Sequence, residues 1–329
     1  MADEIFKDKE TNFDRNLRPK KLTEFIGQDR IKKSLSIFLQ ATKKRKESLE
    51  HVLFHGPAGI GKTTLAHIIG HELESNVKIT SGPAIERVGD LAAILSGLEE
   101  GDILFIDEIH RLNRNIEEIL YPAMEEGKID LILGKGPSAQ MLRLDLPNFT
   151  LIGATTKFAS LSSPLRDRFG IVYRLNFYEK SDIKKIIKRS AQILGIGIED
   201  KAVEELASRS RFTPRIANRL LKRMRDFAQV ENENKISFAL TRDALTTLEI
   251  DDFGLDDLDR KILQVILKKF NGGPVGVNTL AQAIGEDRAT VEEIYEPYLM
   301  QLGFLERTPQ GRKISRKAIN HLNNNNFNF

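Results

Sequence analysis

A glycine-rich stretch near residue 56 has the residue types and spacing that bind phosphate. HVLFHGPAGIGKTTLAH, residues 51–67, satisfies the pattern G-x-x-x-x-G-K-[ST] with Gly56, Gly61, Lys62 and Thr63. It follows a strand-like apolar segment and opens a helical one, which is the context that such a loop requires. Glycine lets backbone N–H groups turn toward a phosphate, and the lysine reaches the outer phosphate oxygens. The stretch predicts a nucleotide-phosphate site, with the Thr63 hydroxyl as a ligand of Mg²⁺.

Two acidic residues follow a second apolar segment. DILFIDEIHRL carries Ile103 to Ile106 directly before Asp107 and Glu108. Such a short apolar run predicts a buried parallel strand that delivers carboxylates to the carboxyl edge of the sheet. There Asp107 would hold Mg²⁺, mostly through water, and Glu108 would polarise the attacking water. An Asp-Glu pair can instead cap the next helix, but the upstream phosphate loop favours catalysis.

Two further segments could complete this site. FTLIGATTK, residues 149–157, predicts a strand ending in Thr155, which could hydrogen-bond the γ-phosphate or the water, although Thr-Thr pairs also cap helices. LSSPLRDRFGIVYRL supplies Arg166 and Arg168. An arginine from a neighbouring subunit can stabilise a transferring phosphoryl group, and Arg168 is the better candidate. A solvated pair bonded to Asp167 or to a neighbouring carboxylate is the alternative.

A helical segment downstream offers one more cation. In RFTPRIANRLLKRMRDF, Thr213 can serve as the N-cap and Pro214 as the first helical residue, so that Arg215 lies in the first turn. An arginine at that position works against the helix dipole. A bound anion would explain it, and we expect Arg215 to contact the nucleotide.

The composition indicates a multidomain globular protein. The chain has 329 residues, 40% of them hydrophobic, and no cysteine, which excludes disulfide scaffolds and thiolate metal sites. No apolar run reaches the roughly 18 residues of a spanning helix, and the N-terminus lacks the apolar core of a signal peptide. We expect a soluble, cytoplasmic protein. The net charge of +3 is too small to indicate nucleic-acid binding by itself.

The C-terminal region has the pattern of a winged helix. From about Gly254, three amphipathic segments predict helices, and GFLERTPQGRKIS predicts two short strands joined by a Pro/Gly turn. Arg307, Arg312 and Lys313 lie on or beside this wing, where cations could pair with DNA phosphates. Winged helices also dock proteins, so the fold alone leaves both uses open. The last residues, HLNNNNFNF, predict a disordered Asn-rich tail.

An insert between the acidic and polar strands predicts a hairpin at about residues 127–146. KIDLIL and QMLRLDL alternate apolar and polar residues around a Gly-rich centre. The apolar side chains of the first strand need a surface that buries them, either on a partner or on the chain's own domain. These side chains are Ile129, Leu131, Ile132 and Leu133.

The order of these motifs resembles that of the AAA+ ATPases, and the sequence is similar to the RuvB family of branch-migration motors. The closer resemblance rests on GPAGIGKTTLA, LEEGDILFIDEIHRLNRNIEEILYPAMEEGKIDLILGKGPSA, LIGATTKFASLSSPLRDRFGI, FTPRIANRLL and YEPYLMQLGFLERTPQGR. It implies an α/β fold with three domains. These are an AAA+ P-loop NTPase core with a parallel sheet over residues 1–178, a small all-helical lid over 179–250 and a winged-helix head over 251–329.

The resemblance also implies which residues contact ATP, and Arg168 and Arg215 would contribute to catalysis as well. The implied contacts are Leu17, Arg18, Gly59, Gly61, Lys62, Thr63, Thr64, Glu125, Glu126, Gly127, Arg168, Tyr178 and Arg215. Four departures from the usual family pattern remove no catalytic group: Ala58, Ile60, Val88 and Lys157. Gln310 replaces a cation of the usual wing sequence TPRGR, which predicts weaker contact with phosphate.

With ATP and Mg²⁺, the resemblance implies a hexameric ring that pulls duplex DNA and drives branch migration of Holliday junctions. RuvA would dock on the hairpin, and RuvC would act alongside as the resolving nuclease. Three other functions share parts of this pattern. A clamp loader would carry a helical collar instead of a wing, and an ATP-regulated transcription factor would bind base-specifically. A protein-remodelling ATPase would carry an aromatic pore loop, whereas SGPAIERVGDL has no aromatic residue.

Overall fold

The computed structural model describes residues 16–133 and 140–324. They belong to two compact units, one of residues 15–178 and one that begins at residue 179. Within the described ranges, no helix combines the length and the apolar character needed to cross a membrane.

The first unit contains seven described strands, five of which form a parallel sheet. The strands are β1 (Val52–His55), β2 (Val77–Ser81), β3 (Ile103–Asp107), β4 (Lys128–Leu133), β5 (Gln140–Asp145), β6 (Thr150–Thr155) and β7 (Ile171–Arg174). The strand order in the sheet is β2-β3-β6-β1-β7. Helices connect successive strands of the sheet, and β4 and β5 form a separate antiparallel hairpin. The helices are α1 (Asp29–Arg45), α2 (Lys62–Leu73), α3 (Val88–Ser96), α4 (Arg114–Glu125) and α5 (Ser163–Asp167).

The central strands are apolar along nearly their whole length because the sheet is covered on both faces. Every residue of β6 is buried, and so are the first four residues of β3. The registers place His55 of β1 beside Thr155 of β6 on one side and beside Arg174 of β7 on the other. The polar ends of β1, β3 and β6 therefore meet at the carboxyl edge of the sheet.

The hairpin begins against the core. Ile129 pairs with Leu144 and is fully buried in the main hydrophobic cluster of this unit. The prediction that Ile129 contacts a partner is therefore wrong, because the base of the hairpin folds onto its own domain. On β5, Met141 and Leu142 have exposed fractions of 68% and 39%. The hairpin centre, 134–139, and the side chains of Leu131, Ile132 and Leu133 lie outside what the structure describes.

The second unit begins with a lid of four helices. They are α6 (Lys180–Ile193), α7 (Asp200–Arg209), α8 (Pro214–Val230) and α9 (Phe238–Thr247). The lid also contains a short parallel pair, β8 (Gly197–Ile198) and β9 (Lys235–Ile236), so it is not purely helical as predicted. This pair forms where the connections after α6 and after α8 run side by side.

The same unit continues into a winged-helix head. Its helices are α10 (Asp257–Lys269), α11 (Val277–Ile284), α12 (Arg288–Thr290), a π-helical turn (Val291–Tyr295), α13 (Glu296–Gln301) and α14 (Arg316–Asn324). The wing consists of β10 (Leu305–Thr308) and β11 (Gly311–Ile314), which pair antiparallel.

The predicted disordered tail begins as ordered helix. α14 reaches Asn324, and His321 is buried, with Nε2 2.8 Å from Asp251 Oδ2 and its ring 4.9 Å from that of Phe253. That prediction is therefore wrong for residues 321–324, and residues 325–329 lie outside the described chain. The prediction from composition failed because the amphipathic pattern of α14 continues into the Asn-rich stretch.

Candidate active site

The phosphate loop has the backbone conformation that a phosphate cradle requires. Gly56, Gly59 and Gly61 have φ angles of 143°, 73° and 101°, which favour glycine. A Cβ at Gly56 would lie 2.3 Å from the Leu175 carbonyl oxygen, so no larger residue fits there. Lys62 is buried and its Nζ donates to the Gly56 and Pro57 carbonyls at 2.9 and 2.8 Å. The ammonium thus faces the loop interior, and these residues fit an anionic phosphate at the start of α2.

The acidic residues lie at the same edge of the sheet. Asp107 ends β3, and its Oδ1 accepts from the Glu108 backbone N–H at 3.0 Å. Glu108 has a φ of 49°, a left-handed conformation that is uncommon outside glycine. This kink turns Glu108 out of the strand direction, so the two carboxylates have different orientations. Such strain is typical of functional sites.

Polar side chains that follow β6 and β3 hold the Glu108 carboxylate. Thr156 Oγ1 donates to Glu108 Oε2 at 3.2 Å, and His110 Nδ1 is 3.4 Å from the same oxygen. Thr155 is fully buried and its Oγ1 lies 2.8 Å from His110 Nδ1. Thr155 therefore reaches Glu108 through His110, whereas Thr156 contacts it directly. His110 and Thr156 were not predicted from the sequence, although both lie within two residues of a predicted one.

Cations near His55 affect its protonation state. Burial lowers the pKa of His55 below its usual value of 6.5, and the nearby charges of Arg174 and Lys62 lower it further. The ring stacks on that of Phe158 with centroids 4.3 Å apart. His55 is therefore neutral at pH 7, and the cations around it leave an edge that suits an anionic ligand.

The nucleotide-contact candidates at the start and end of this unit adjoin the loop. Tyr178 is buried and its hydroxyl donates to the Ile60 carbonyl at 3.2 Å. A Cβ at Gly61 would lie 3.1 Å from the Phe25 ring and 3.7 Å from the Tyr178 hydroxyl. Leu17 is also buried. Candidates that are half-buried in this unit are Arg18, Gly59, Thr63 and Thr64.

Arg168 belongs to a second cluster. Its Nη2 is 3.2 Å from Glu125 Oε2, and its Nη1 donates to the Pro164 carbonyl at 2.7 Å. The guanidinium lies 4.3 Å from the centre of the Tyr121 ring. The exposed candidate Glu126 and the half-buried Gly127 follow Glu125 directly. The Arg166 guanidinium lies over the Phe158 ring, 5.3 Å from its centre.

This cluster lies at the edge of the sheet opposite to the phosphate loop. Arg168 precedes β7, whose first residue, Ile171, pairs with Val52 at the start of β1. The phosphate loop follows His55 at the end of β1, and a strand of that length spans roughly 10 Å. The structure therefore separates Arg168 and Glu125 from Lys62, Asp107 and Glu108 of the same chain.

Arg215 lies in the other compact unit. It is half-buried in the first turn of α8, after Pro214 at N1. The predicted cap is present, because Thr213 Oγ1 accepts from the Ile216 backbone N–H at 3.4 Å.

The three wing cations differ in their surroundings. Arg307 and Lys313 are exposed, and Arg307 Nη2 is 3.7 Å from Glu292 Oε1. Arg312 is only 7% exposed, with Nε 2.6 Å from Glu296 Oε1 and Nη2 2.8 Å from Glu292 Oε1. These carboxylates raise the pKa of Arg312. The prediction that Arg312 presents its charge to DNA is wrong for this structure, because its guanidinium is buried against the π-helical turn and α13.

Comparison with known proteins agrees over the whole chain. Three family models match: the Holliday junction DNA helicase RuvB P-loop domain over residues 17–175, the RuvB AAA lid domain over 178–251, and the RuvB C-terminal winged helix domain over 252–323. "Holliday junction branch migration complex subunit RuvB" of Staphylococcus saprophyticus is 55% identical over 326 residues, 99% of this chain and 98% of the relative. Its Staphylococcus aureus counterpart is also 55% identical, with the same coverage.

A solved structure agrees as well. The Thermotoga maritima RuvB Holliday junction branch migration motor superimposes with a TM-score of 0.86 at 52% identity, covering 94% of this chain and 98% of that one. A variant of that protein matches with a TM-score of 0.87. A parallel-sheet P-loop core, a lid and a winged-helix head thus occur here in the same order as in these relatives. The chain belongs to the RuvB family of AAA+ P-loop ATPases.

Proposed function

We propose that this chain is the ATP-driven motor of Holliday junction branch migration, acting with RuvA in recombination and repair. The single observation that carries the proposal is the coexistence in one chain of a hydrolytic edge and a winged-helix head. Lys62, Asp107 and Glu108 lie at one sheet edge. Relatives more than half identical along the full length are named for this activity. Because the substrate is chromosomal DNA, we expect the protein to act in the bacterial cytoplasm, at the nucleoid.

Each residue of the hydrolytic edge has a distinct role in this proposal. When ATP binds, the Lys62 ammonium replaces its hydrogen bonds to the loop carbonyls with bonds to β- and γ-phosphate oxygens. The N–H groups of the loop bind the phosphates. Glu108 orients and polarises the attacking water, and Thr156 and His110 fix the carboxylate for that task. Thr63 and Asp107 would hold Mg²⁺, which neutralises charge on the β- and γ-oxygens when bound.

We further propose that Arg168 acts on the ATP of a neighbouring subunit, within a hexameric ring. Arg168 and Glu125 lie at the sheet edge opposite to the phosphate loop, so neither can reach the loop of its own chain. In a head-to-tail ring, that edge of one subunit can face the phosphate loop of the next. Glu125, Glu126 and Gly127 would then contact the neighbour's nucleotide together with Arg168. Arg215 would contact a nucleotide from the lid.

DNA binding by the head would be insensitive to sequence. In many winged helices a recognition helix enters the major groove, but the corresponding segment here begins with Glu286 and Asp287 and continues with Glu292 and Glu293. Arg288 lies in the same segment and pairs with Glu292, but the acids remain in excess, which repels a DNA groove and favours contact through the wing. Arg307 and Lys313 would pair with phosphates, and Arg312 would hold the wing in place. This argues against a transcription factor, and the wing argues against a clamp loader.

The hairpin is the proposed dock for RuvA. Met141 and Leu142 of β5 are exposed apolar side chains beside the paired charges of Asp130 and Arg143, which lie 2.7 Å apart. Exposed apolar side chains on a projecting element suit a partner surface. Leu131, Ile132 and Leu133 remain candidates on β4. RuvC would join the complex as the resolving nuclease.

Dissociation of a synthetic four-way DNA junction by the chain and its own RuvA tests the proposal. Strand products should require ATP, RuvA and an intact Lys62, with Lys62→Ala as the inactive control. Binding should show no base specificity and a steep dependence on salt, because phosphate contacts release counterions. If ATP is hydrolysed while RuvA-bound junctions stay intact, the ATPase assignment holds and the proposed task is wrong.

A further inference from the structure

The turn between two lid helices carries an arginine that is buried in the head. Arg211 lies between α7 and α8, and its Nη2 is 3.1 Å from Asp256 Oδ2. The same nitrogen contacts Asp259, and Nε donates to the Gly254 carbonyl at 3.1 Å. The side chains of Arg211, Asp256 and Asp259 are 6%, 6% and 0% exposed. A lid cation is thus enclosed by two carboxylates at the start of the head.

The backbone of this turn is specified by the head. Arg211 and Phe212 have φ angles of 52° and 56°, so two successive residues other than glycine are left-handed. L-residues disfavour this conformation, which persists where tertiary contacts impose it. The Phe212 ring lies 6.2 Å from that of Tyr298 in the head. Gly254 passes so close that a Cβ there would lie 2.6 Å from the Arg209 carbonyl oxygen.

Stability alone does not account for this cluster. A buried ion pair is often no more stabilising than apolar residues of the same volume, because both charges lose their hydration. What a paired, forked arginine adds is geometry, since its donors fix the direction as well as the distance of the contact.

Arg211 lies directly before α8, so the fixed geometry of the cluster can connect movement of α8 to the head. Arg215, the proposed nucleotide contact of the lid, follows Arg211 by four residues. Any displacement of the first turn of α8 therefore acts directly on the turn that holds Arg211. We infer that Arg211, Asp256 and Asp259 form a lid–head clamp, which transmits nucleotide-driven displacement of α8 to the DNA-binding head. The inference rests on the proposed function, and Arg211 is a positioning residue in it.

Coupling between hydrolysis and movement is the quantity that the clamp controls. Arg211→Lys keeps the charge and loses the fork, and Asp259→Asn keeps the shape and loses the charge. We expect either variant to keep DNA-free ATP turnover within about twofold, because neither residue belongs to the hydrolytic edge. Junctions dissociated per ATP should fall about tenfold or more, because the head no longer follows the lid.

The matched control removes a second ion pair between the lid and the head. Arg209 contacts Asp252, whose side chain is 78% exposed. Arg209 also pairs with Glu205, so Asp252→Asn leaves the guanidinium with a carboxylate partner and should leave the coupling ratio unchanged. Folded Arg211→Lys and Asp259→Asn rings with the wild-type ratio would overturn the clamp.

A distance measurement tests the clamp without relying on activity. The chain has no cysteine, so Val230→Cys in the lid and Met300→Cys in the head, 82% and 41% exposed, take two spin labels. We expect one narrow distance distribution with and without an ATP analogue, and a broad one after Arg211→Lys. A nucleotide-dependent distance in the unaltered background would mean a hinge and overturn the clamp. If the distances behave as expected but no junction is dissociated, the proposed function fails and the rigid joint remains.

Discussion

The hydrolytic edge and the lid–head clamp hold charged side chains in opposite ways. At the edge, Lys62 rests on two backbone carbonyls, and Glu108 is held by a hydroxyl and an imidazole. In the clamp, Arg211 is enclosed with Asp256 and Asp259. Weak polar contacts can be exchanged for those of a nucleotide at small cost, whereas breaking a buried ion pair leaves an uncompensated charge.

This difference separates parts that must change partners from parts that must not. A site that binds, hydrolyses and releases ATP in each cycle needs charges whose resting contacts are replaceable. A joint that transmits motion needs contacts that survive the cycle. The buried pair of Arg312 and Glu296 under the wing belongs to the second kind.

Arg168→Ala should lower ATP turnover by about 10³-fold, which corresponds to about 4 kcal/mol, because the transferring phosphoryl group loses a cation. The informative measurement mixes Arg168→Ala with Lys62→Ala chains. Neither hydrolyses ATP alone, but random mixing restores about one quarter of the interfaces if the arginine acts on the neighbour's site. Tagged chains verify that subunits exchange. An exchanging mixture that stays inactive contradicts the action in trans.

Arg312→Ala should destabilise the head by about 3 kcal/mol, because the buried carboxylate of Glu296 loses its partner. Thermal unfolding measures this effect. Arg307→Ala, the matched wing variant, should leave stability nearly unchanged, since its ion pair is exposed. It should instead reduce the salt dependence of DNA affinity by about one released counterion. Equal stability of both variants would mean that burial does not distinguish the two wing arginines.

The sequence was informative wherever neighbours along the chain decide the structure. The phosphate loop, the acidic strand, the Thr213 cap and the wing depend on local pattern, and their types could be predicted. Arg312 shows the limit, because its partners Glu292 and Glu296 lie 20 and 16 residues earlier and meet it only through tertiary packing. For Ile129, alternation predicted an apolar face but not which surface covers it.

Thr156→Val should lower kcat for ATP hydrolysis by about tenfold, or about 1.4 kcal/mol, because Glu108 loses a hydrogen bond that orients it toward water. KM should change little, since Thr156 is not a predicted nucleotide contact. Thr156→Ser keeps the hydroxyl and serves as the control. The two variants are compared by steady-state kinetics with DNA present. If Thr155→Val impairs kcat more than Thr156→Val without loss of stability, Thr155 is the more important residue.

The smallest predicted effect is the pH dependence of stability, which differs between the two compact units. His51 Nδ1 accepts from the Leu151 backbone N–H at 2.9 Å, so Nε2 must donate to the Met124 carbonyl 3.0 Å away, and the ring is neutral. Burial lowers its pKa below the usual 6.5, although the Met124 bond and Glu50 oppose that shift. Below pH 6.5 the unfolded chain therefore binds a proton that the folded core does not, and core stability falls as pH falls.

The stability of the winged-helix head should fall in a lower pH range. Hydrogen bonds from Arg288, followed by those from Arg312, lower the pKa of Glu292 below its usual 4.5, so this contribution to stability is lost only as pH falls from 4.5 toward the folded value. Thermal unfolding between pH 7.5 and pH 4 should thus show the core weakening first. His51→Asn keeps an acceptor for Leu151 and should reduce the loss of core stability in the upper window, whereas the share of His55, whose pKa burial also lowers, should remain. A His51→Asn profile that matches the wild type would show that the neutral ring does not set this pH dependence.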